Sequence, residues 1–429
     1  MTPKYSTWET WIQQEHYTRG TQASLSPVIL YQVTAAILGP AFLPSVMALP
    51  RILSAAVLVS AVLSSCVPDT GPPTVTVKNG TYVGFTDRTL NTDNFYGVAY
   101  AQPPLGDLRF RHPKPLNSSW KGERVVTSWP KECITVGICE QGGFVTEGIG
   151  YYPSFNQSWL VQRSAALGYP IIGVNVNSRL GPWGFLYSQE IQDSLDTNLG
   201  LRDMRHSLSW VQENIAAFGG DPTRVTIHGQ STGAQSVGLQ LLAYGGEHGN
   251  LFTGVIAESC APVCVSERSS ALATDLVMDA PTRLTTLSFA SYNSDVYRYH
   301  WGTILNNVAN YTGATHAAEG PNKDKILELA NIMTAMWIGF VYSGNPNHIT
   351  QSIFPTIATW PKYELPEPQN YVFTLDVPLH VAPDTHRAAG INWMMNLMIA
   401  SKNRNCTSIV SCGGDYNITN GETGGVYGF

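Results

Sequence analysis

Charged side chains are scarce and scattered in this sequence. They make up only 13% of the 429 residues, and the 25 Lys and Arg residues form no cluster. A nucleic-acid-binding protein needs a basic face to neutralise phosphates, so we predict that nucleic acid is not a partner. The net charge of −6 favours the same conclusion. A hydrophobic content of 43% argues against a chain that is disordered throughout and predicts a large core.

A continuous apolar run long enough to cross a membrane is lacking as well. No charge occurs between Arg19 and Arg51, but four prolines interrupt that stretch, and proline breaks helices. The apolar run at residues 52–63 has only twelve residues, against the roughly 20 that a spanning helix needs. It follows Met47 and Arg51 and ends in Ser64-Ser65-Cys66, a pattern typical of a secretory signal peptide.

These features predict how the N-terminal region is organised. Residues 1–46 are predicted to be an unstructured upstream extension, and residues 47–66 a signal peptide. The protein is therefore expected to be secreted and extracellular, without an obligatory membrane anchor. An anchor built from residues 20–63 is the alternative.

Cysteine is sparse too, with seven residues. If the signal peptide ends after Cys66, six remain, and an even number suits disulfide bonds in an oxidising compartment, with the pairing left open. No close Cys-x-x-Cys motif or His-rich cluster occurs, so we predict neither a metal site nor a cofactor. The six cysteines are Cys133, Cys139, Cys260, Cys264, Cys406 and Cys412.

Six Asn-x-Ser/Thr triplets predict a glycoprotein, in agreement with secretion. Each triplet alone is weak evidence, because such triplets also arise by chance. They begin at Asn79, Asn117, Asn156, Asn310, Asn405 and Asn417.

Strand and helix patterns alternate along the middle of the chain. Residues 74–85 predict a hairpin with its turn at Asn79-Gly80. Strands are predicted at residues 170–176, 224–228 and 252–257, with a helix at 234–242 between the last two. A further helix is predicted from one apolar face formed by Leu201, Met204, Leu208, Val211 and Ile215. This alternation is typical of an α/β fold with a mainly parallel central sheet flanked by helices.

The strongest chemical signal is Gly229-Gln230-Ser231-Thr232-Gly233. A Gly-x-Ser-x-Gly motif between a strand and a helix is a nucleophile elbow, a tight turn that presents the serine hydroxyl. The free N–H groups and the dipole at the start of the following helix favour an oxyanion there. We therefore predict that Ser231 is a nucleophile, against the alternative of a surface serine in a glycine-rich loop.

Several longer stretches make the chain resemble the type-B carboxylesterases and fungal lipases, which have the α/β-hydrolase fold. The resemblance extends, with gaps, from about residue 72 to residue 400, and it predicts a catalytic domain at 67–404 and a C-terminal tail at 405–429. The stretches that carry it are residues 96–111 (YGVAYAQPPLGDLRFR), 177–185 (NSRLGPWGF), 198–203 (NLGLRD), 214–222 (NIAAFGGDP) and 313–319 (GATHAAE).

The resemblance implies a role for particular residues. His316 matches the general base that takes the proton of Ser231. Gly142 and Gly143 match a loop whose N–H groups form the oxyanion hole together with the N–H of Thr232. The implied substrate is a small-molecule or lipid ester. Two further matches, Arg179 and Asp203, imply a buried ion pair, and His228 is interpreted as structural.

The chain also departs from the family, as if internal segments were deleted. No long apolar strand precedes Gly142, and nothing between Cys264 and Ser270 matches the triad acid, which stays unknown. Glu267 and Glu319 are the first carboxylates to test. We therefore predict a secreted ester hydrolase that acts through a Ser-His acyl-enzyme mechanism, with activity impaired by the missing acid. A catalytically inactive, truncated or binding-only member of the family is the alternative.

Overall fold

The computed structural model describes residues 9–15, 28–34, 71–128, 156–258, 279–292, 294–302, 326–374 and 379–402. Ser231 and Thr232 lie within these ranges. His316, Gly142, Gly143, Glu267, Glu319 and all seven cysteines lie outside them. The predictions that concern those residues, including the disulfides, therefore fall outside the described part of the chain.

A seven-stranded sheet forms the centre of the described fold, and two three-stranded sheets accompany it. The strands are β1 (Glu9–Glu15), β2 (Val28–Thr34), β3 (Thr74–Val77), β4 (Gly80–Val83), β5 (Phe85–Asp87), β6 (Thr92–Ala99), β7 (Glu123–Val125), β8 (Ile171–Val176), β9 (Val225–Gln230), β10 (Gly254–Glu258), β11 (Tyr299–Trp301), β12 (Gln369–Phe373) and β13 (His380–Pro383). The order in the central sheet is β10-β9-β2-β8-β1-β6-β5.

The central sheet has a parallel half and an antiparallel half. β8, β2, β9 and β10 are parallel to one another, whereas β1, β6 and β5 pair in the antiparallel sense. β9 pairs along both edges, so the strand that leads to Ser231 lies inside the parallel half. The predicted α/β class and parallel sheet are confirmed, and the antiparallel half is an addition to that prediction.

The prediction of an unstructured extension at residues 1–46 is wrong for two of its stretches. β1 inserts between β8 and β6, and β2 inserts between β8 and β9. The sequence of β2, VILYQVT, is rich in β-branched and aromatic residues, which suit a paired strand. Its pairing runs from Val28 opposite Ile171 to Thr34 opposite Gln230. The extension therefore supplies β2, the direct neighbour of the strand that leads to Ser231.

Helices cover both faces of the sheet. They are α1 (Ser158–Ala166), α2 (Gly181–Phe185), α3 (Gln189–Asp193), α4 (Leu199–Asn214), α5 (Thr232–Leu242), α6 (Ala280–Ser291), α7 (Ile326–Ser343), α8 (Thr350–Ile353) and α9 (Ala388–Lys402). Within the described ranges, none of them combines the length and the apolarity needed to cross a membrane.

Strand β8 shows how the two faces are divided. Ile172, Val174 and Val176 pack in one cluster with apolar residues of α4, whereas Ile171 packs on the other face with Val161 of α1. The second cluster also contains Val341 of α7. All six residues of β8 are buried, as expected for a strand covered on both sides.

The local elements predicted from the sequence are confirmed. β3 and β4 form the hairpin, but Val77 pairs with Gly80, so the turn residues are Lys78 and Asn79, one position before the predicted Asn79-Gly80. Met204, Leu208, Val211 and Ile215 are buried as one face, and a 3₁₀ turn after α4 ends at Gly219, which has a φ of 88°. Only glycine adopts that left-handed conformation without cost, which explains the stop.

A buried network of ion pairs and hydrogen bonds surrounds Asp384, next to the sheet of β11, β12 and β13. Arg283 donates to both carboxylate oxygens at 2.5 and 2.9 Å, Arg298 also contacts the carboxylate, and Tyr363 and Asn370 donate at 2.5 and 2.8 Å. Burial alone would raise the pKa of Asp384, but Arg283 and Arg298 hold that pKa well below its ordinary value. The network joins α6 to the strands of this sheet.

Arg179 and Asp203 form a buried ion pair, as the family resemblance predicts. Nη2 and Nε of Arg179 donate to the two oxygens of Asp203 at 2.7 and 3.0 Å, and the Arg179 main-chain N–H donates at 3.0 Å. The side chains are 6% and 0% exposed. The pair ties the loop after β8 to α4, directly beside the parallel half of the sheet.

Replacing Asp203 by Asn should lower the free energy of unfolding by about 3–5 kcal/mol, because the Arg179 charge is left buried without its counter-charge. Urea denaturation measures the change. The matched control is Asp295→Asn, which removes an exposed pair with Lys362 whose side chains are 61% and 46% exposed. That control should lose less than about 1 kcal/mol, and equal losses in the two variants would contradict the interpretation.

Candidate active site

Ser231 stands in a strained turn between β9 and α5. Its φ of 58° and ψ of −122° lie in a region that residues other than glycine rarely adopt. The Ser231 N–H donates to the carbonyl oxygen of Glu258 at 2.9 Å, and the Ser231 carbonyl accepts from the N–H of Gln235 at 3.1 Å. The strained conformation is thus held by β10 on one side and by α5 on the other.

Gly229 shows how closely β9 and α5 approach each other. A Cβ atom at this position would lie 2.1 Å from the carbonyl oxygen of Gly233 and 2.7 Å from the nitrogen of Ala234. Those neighbours are backbone atoms, which cannot move aside as a side chain can. Glycine at both positions lets the strand turn directly into the helix, as the motif predicts.

Thr232 is the first residue of α5, which places its N–H among those that have no acceptor within the helix. A helix N-terminus also favours negative charge nearby. This position suits the predicted oxyanion donor, although the other two predicted donors, Gly142 and Gly143, are not described. The Thr232 Oγ1 atom is buried and has no hydrogen-bond partner in the described part of the chain.

The structure does not test the rest of the predicted triad. His316, the predicted base, and Glu267 and Glu319, the first carboxylates considered as its partner, lie outside the described residues. The arrangement of Ser231 relative to these groups stays a prediction. Among the described residues, no group of three or more His, Cys, Asp or Glu side chains is arranged to hold a metal ion.

Sequence reasoning missed Glu258, which ends β10 directly beside the nucleophile turn. It lies opposite Gln230 in the parallel pairing of β10 and β9. Its Oε1 atom is 3.1 Å from Nε2 of His228 and accepts a hydrogen bond from Nε1 of Trp337 at 2.6 Å. A carboxylate at the end of the apolar run Val255-Ile256-Ala257 was the signal that could have revealed it.

The carboxylate of Glu258 and the imidazole of His228 are in close contact. Burial alone would raise the pKa of Glu258, yet the charge of His228 and the Trp337 hydrogen bond hold that pKa below its ordinary value. Glu258 is therefore a buried carboxylate that keeps its charge.

Comparison with protein families agrees with this geometry. A model described as "Carboxylesterase family" matches residues 71–148 and 140–267, a region that contains the elbow. The two matched segments overlap at residues 140–148, which include Gly142 and Gly143.

Curated relatives include several fungal lipases. "Lipase 1" of Geotrichum candidum is 31% identical over 232 residues, which are 40% of this chain and 41% of the relative. "Secreted lipase 1" of Botryotinia fuckeliana is 34% identical over 246 residues, or 44% of this chain and 42% of the relative. The chain thus spans less than half the length of these relatives.

Among solved structures, "PNB esterase" superposes with a TM-score of 0.60 at 20% identity, covering 75% of this chain and 100% of that chain. This likeness supports the α/β-hydrolase fold. The family match spans residues 71–267, which include the strained serine between β9 and α5, and over this part the chain is similar to the carboxylesterase family.

Proposed function

We propose that the protein is a carboxylic ester hydrolase that forms an acyl-enzyme on Ser231. The single observation that carries this proposal is the conformation of Ser231 at the start of α5, where φ is 58° and ψ is −122°. Strain of this kind costs about 1–3 kcal/mol and is kept where it serves a function. The lipases among the relatives suggest that the substrate is a small-molecule or lipid ester.

In the proposed mechanism, the Ser231 oxygen attacks the ester carbonyl while His316 takes the hydroxyl proton. The carbonyl oxygen becomes negative and accepts hydrogen bonds from the N–H groups of Thr232, Gly142 and Gly143. His316 then gives its proton to the leaving alcohol. A water molecule, activated by the same imidazole, then hydrolyses the acyl-enzyme, which releases the carboxylic acid product and restores the Ser231 hydroxyl.

This mechanism lacks an identified carboxylate that would orient His316. Glu258 is the buried carboxylate beside the turn, but its Oε1 atom is engaged by His228 and Trp337. We therefore keep the proposal that the triad acid is missing and that turnover is slow. The absence of a triad acid is also the reason for the alternative, in which the protein is catalytically inactive or only binds its ligand.

Secretion is the second part of the proposal. Relatives named as secreted lipases support it, and so does the signal-peptide pattern at residues 47–66. Among the predicted glycosylation sites, Asn117 is exposed, whereas Asn79 is partly buried and donates a hydrogen bond to the carbonyl of Ser118 at 3.1 Å. A glycan is therefore expected at Asn117 in preference to Asn79.

A fluorophosphonate probe should label the folded protein, because an activated serine attacks phosphorus as it attacks an ester carbonyl. Ser231→Ala should abolish the label, as measured by gel fluorescence and peptide mass spectrometry. Ser236→Ala is the matched control, since Ser236 lies on α5 and donates to the Thr232 carbonyl at 2.8 Å. Labelling that persists in Ser231→Ala would assign the nucleophile elsewhere, and a folded wild type without any label would favour the inactive alternative.

Hydrolysis of p-nitrophenyl butyrate should be slow, because loss of the orienting acid costs about 10⁴-fold in a serine protease. Initial rates of purified protein measure this. Glu267→Gln and Glu319→Gln should change the rate little if the acid is absent. A rate typical of esterases that collapses in one of these variants would identify the acid and refute this part of the proposal.

The exported protein should begin near Val67 and lose mass on deglycosylation, with part of that loss removed by Asn117→Gln. Intact-mass measurement on protein secreted from a eukaryotic host tests both points. Asn79→Gln is the matched control and should have a smaller effect, because Asn79 is less accessible. A secreted chain that keeps Met1 and carries no glycan would overturn the proposed processing.

A further inference from the structure

Strand β10 holds the nucleophile turn through the backbone. The carbonyl oxygen of Glu258 accepts the N–H of Ser231 at 2.9 Å, one step beyond the last paired residue, Gln230. This bond fixes the peptide before Ser231, and therefore the direction of its strained φ. The position of the Glu258 carbonyl oxygen consequently influences the position of the Ser231 Cα and Cβ atoms.

The side chain of Glu258 anchors that carbonyl to two other elements. Oε1 lies 3.1 Å from Nε2 of His228 on β9 and accepts the indole N–H of Trp337 on α7 at 2.6 Å. Side chains alternate along a strand, and Val225 and Ile227 face the α4 side, so His228 faces the side of α7. All three groups therefore meet on one face of the sheet, beneath the turn.

Trp337 is itself held in place by aromatic neighbours. Its ring centroid lies 5.5 Å from Tyr299, 6.0 Å from Trp360 and 6.3 Å from Phe373, which belong to the cluster around the second sheet. Ring pairs at these distances stabilise the packing of the indole among its neighbours. The Nε1–H group thus offers Glu258 a donor whose position is set outside the central sheet.

We propose that Glu258 is a positioning residue for the nucleophile: His228 and Trp337 fix its side chain, so that its carbonyl oxygen holds the Ser231 turn in the reactive geometry. A carboxylate suits this position because its Oε1 atom accepts the indole N–H of Trp337 while its negative charge faces the imidazole of His228. Glu258 does not touch the substrate in this proposal. The expected effect of Glu258 on the reactivity of Ser231 rests on the function proposed above. Its expected effect on the backbone of the Ser231 turn does not.

Two substitutions separate the contacts. Glu258→Ala removes both side-chain contacts, and Glu258→Gln keeps an acceptor for Trp337 but loses the charge that faces His228. Fluorophosphonate labelling of Ser231, measured as a second-order rate constant on the folded fraction, should slow by about tenfold to a hundredfold in Glu258→Ala, because small misplacements of reacting groups have effects of this size. Glu258→Gln should fall between that variant and the wild type.

The matched control is Glu213→Gln. Glu213, near the C-terminal end of α4, forms an exposed ion pair with Lys78 at 3.2 Å. The labelling rate of this variant should equal that of the wild type. If Glu258→Ala does not fold, Glu258→Gln carries the test alone.

Hydrogen exchange of the Ser231 amide is the second measurement, and it requires no activity. The Ser231 N–H should exchange at least about tenfold faster in the Glu258 variants, while amides in the middle of α5 stay protected. A wild type that fails to react with the probe would refute the proposed function and leave this measurement to decide the role of Glu258. Unchanged Ser231 exchange, or a labelling loss that only matches the unfolded fraction, would show that Glu258 merely stabilises the fold.

Discussion

The parallel pairing of β9 on both of its edges is the constraint on which the site depends. Because β2 and β10 fix β9 from Val225 to Gln230, the chain must leave the sheet at Ser231, and it must turn at once into α5. Gly229 permits this turn, since any Cβ would collide with backbone atoms of Gly233. The strain at Ser231 is therefore set by the sheet and tolerated because the surrounding elements over-determine it.

Local patterns carried most of what could be predicted from the sequence. The elbow, the helical face from Met204 to Ile215 and the hairpin of β3 and β4, whose turn was predicted one residue too late, depend on residues close together in the chain. Such patterns express backbone geometry directly, through glycine conformations and the period of a helix. The Arg179–Asp203 ion pair was predicted from the family resemblance alone, because no local pattern relates these two residues.

Contacts between distant residues could not be predicted in the same way. Glu258 and Trp337 are 79 positions apart, and no periodicity relates a strand end to a helix that follows much later. His228 was interpreted as structural because of its place on β9, and its partner depends on which strand lies alongside. The order of the strands is a property of the whole sheet, so the carboxylate beneath the turn becomes visible only when the sheet is assembled.

The position of β2 follows from the same reasoning. The sequence lacks a long apolar strand before Gly142, and the slot between β8 and β9 is filled by Val28–Thr34 instead. A parallel sheet cannot leave this slot empty, because unpaired backbone groups in the sheet interior cost several kcal/mol each in lost hydrogen bonds. A chain that loses residues 1–66 on export must therefore pair β8 directly with β9 or recruit another segment. The first solution would shift Ser231 relative to every element on the β8 side, whereas the contacts of Ser231 with Glu258 and α5, which lie on the β10 side, would survive. The part of the site that is independent of the N-terminal extension is thus the part built by β9, β10, α5 and α7.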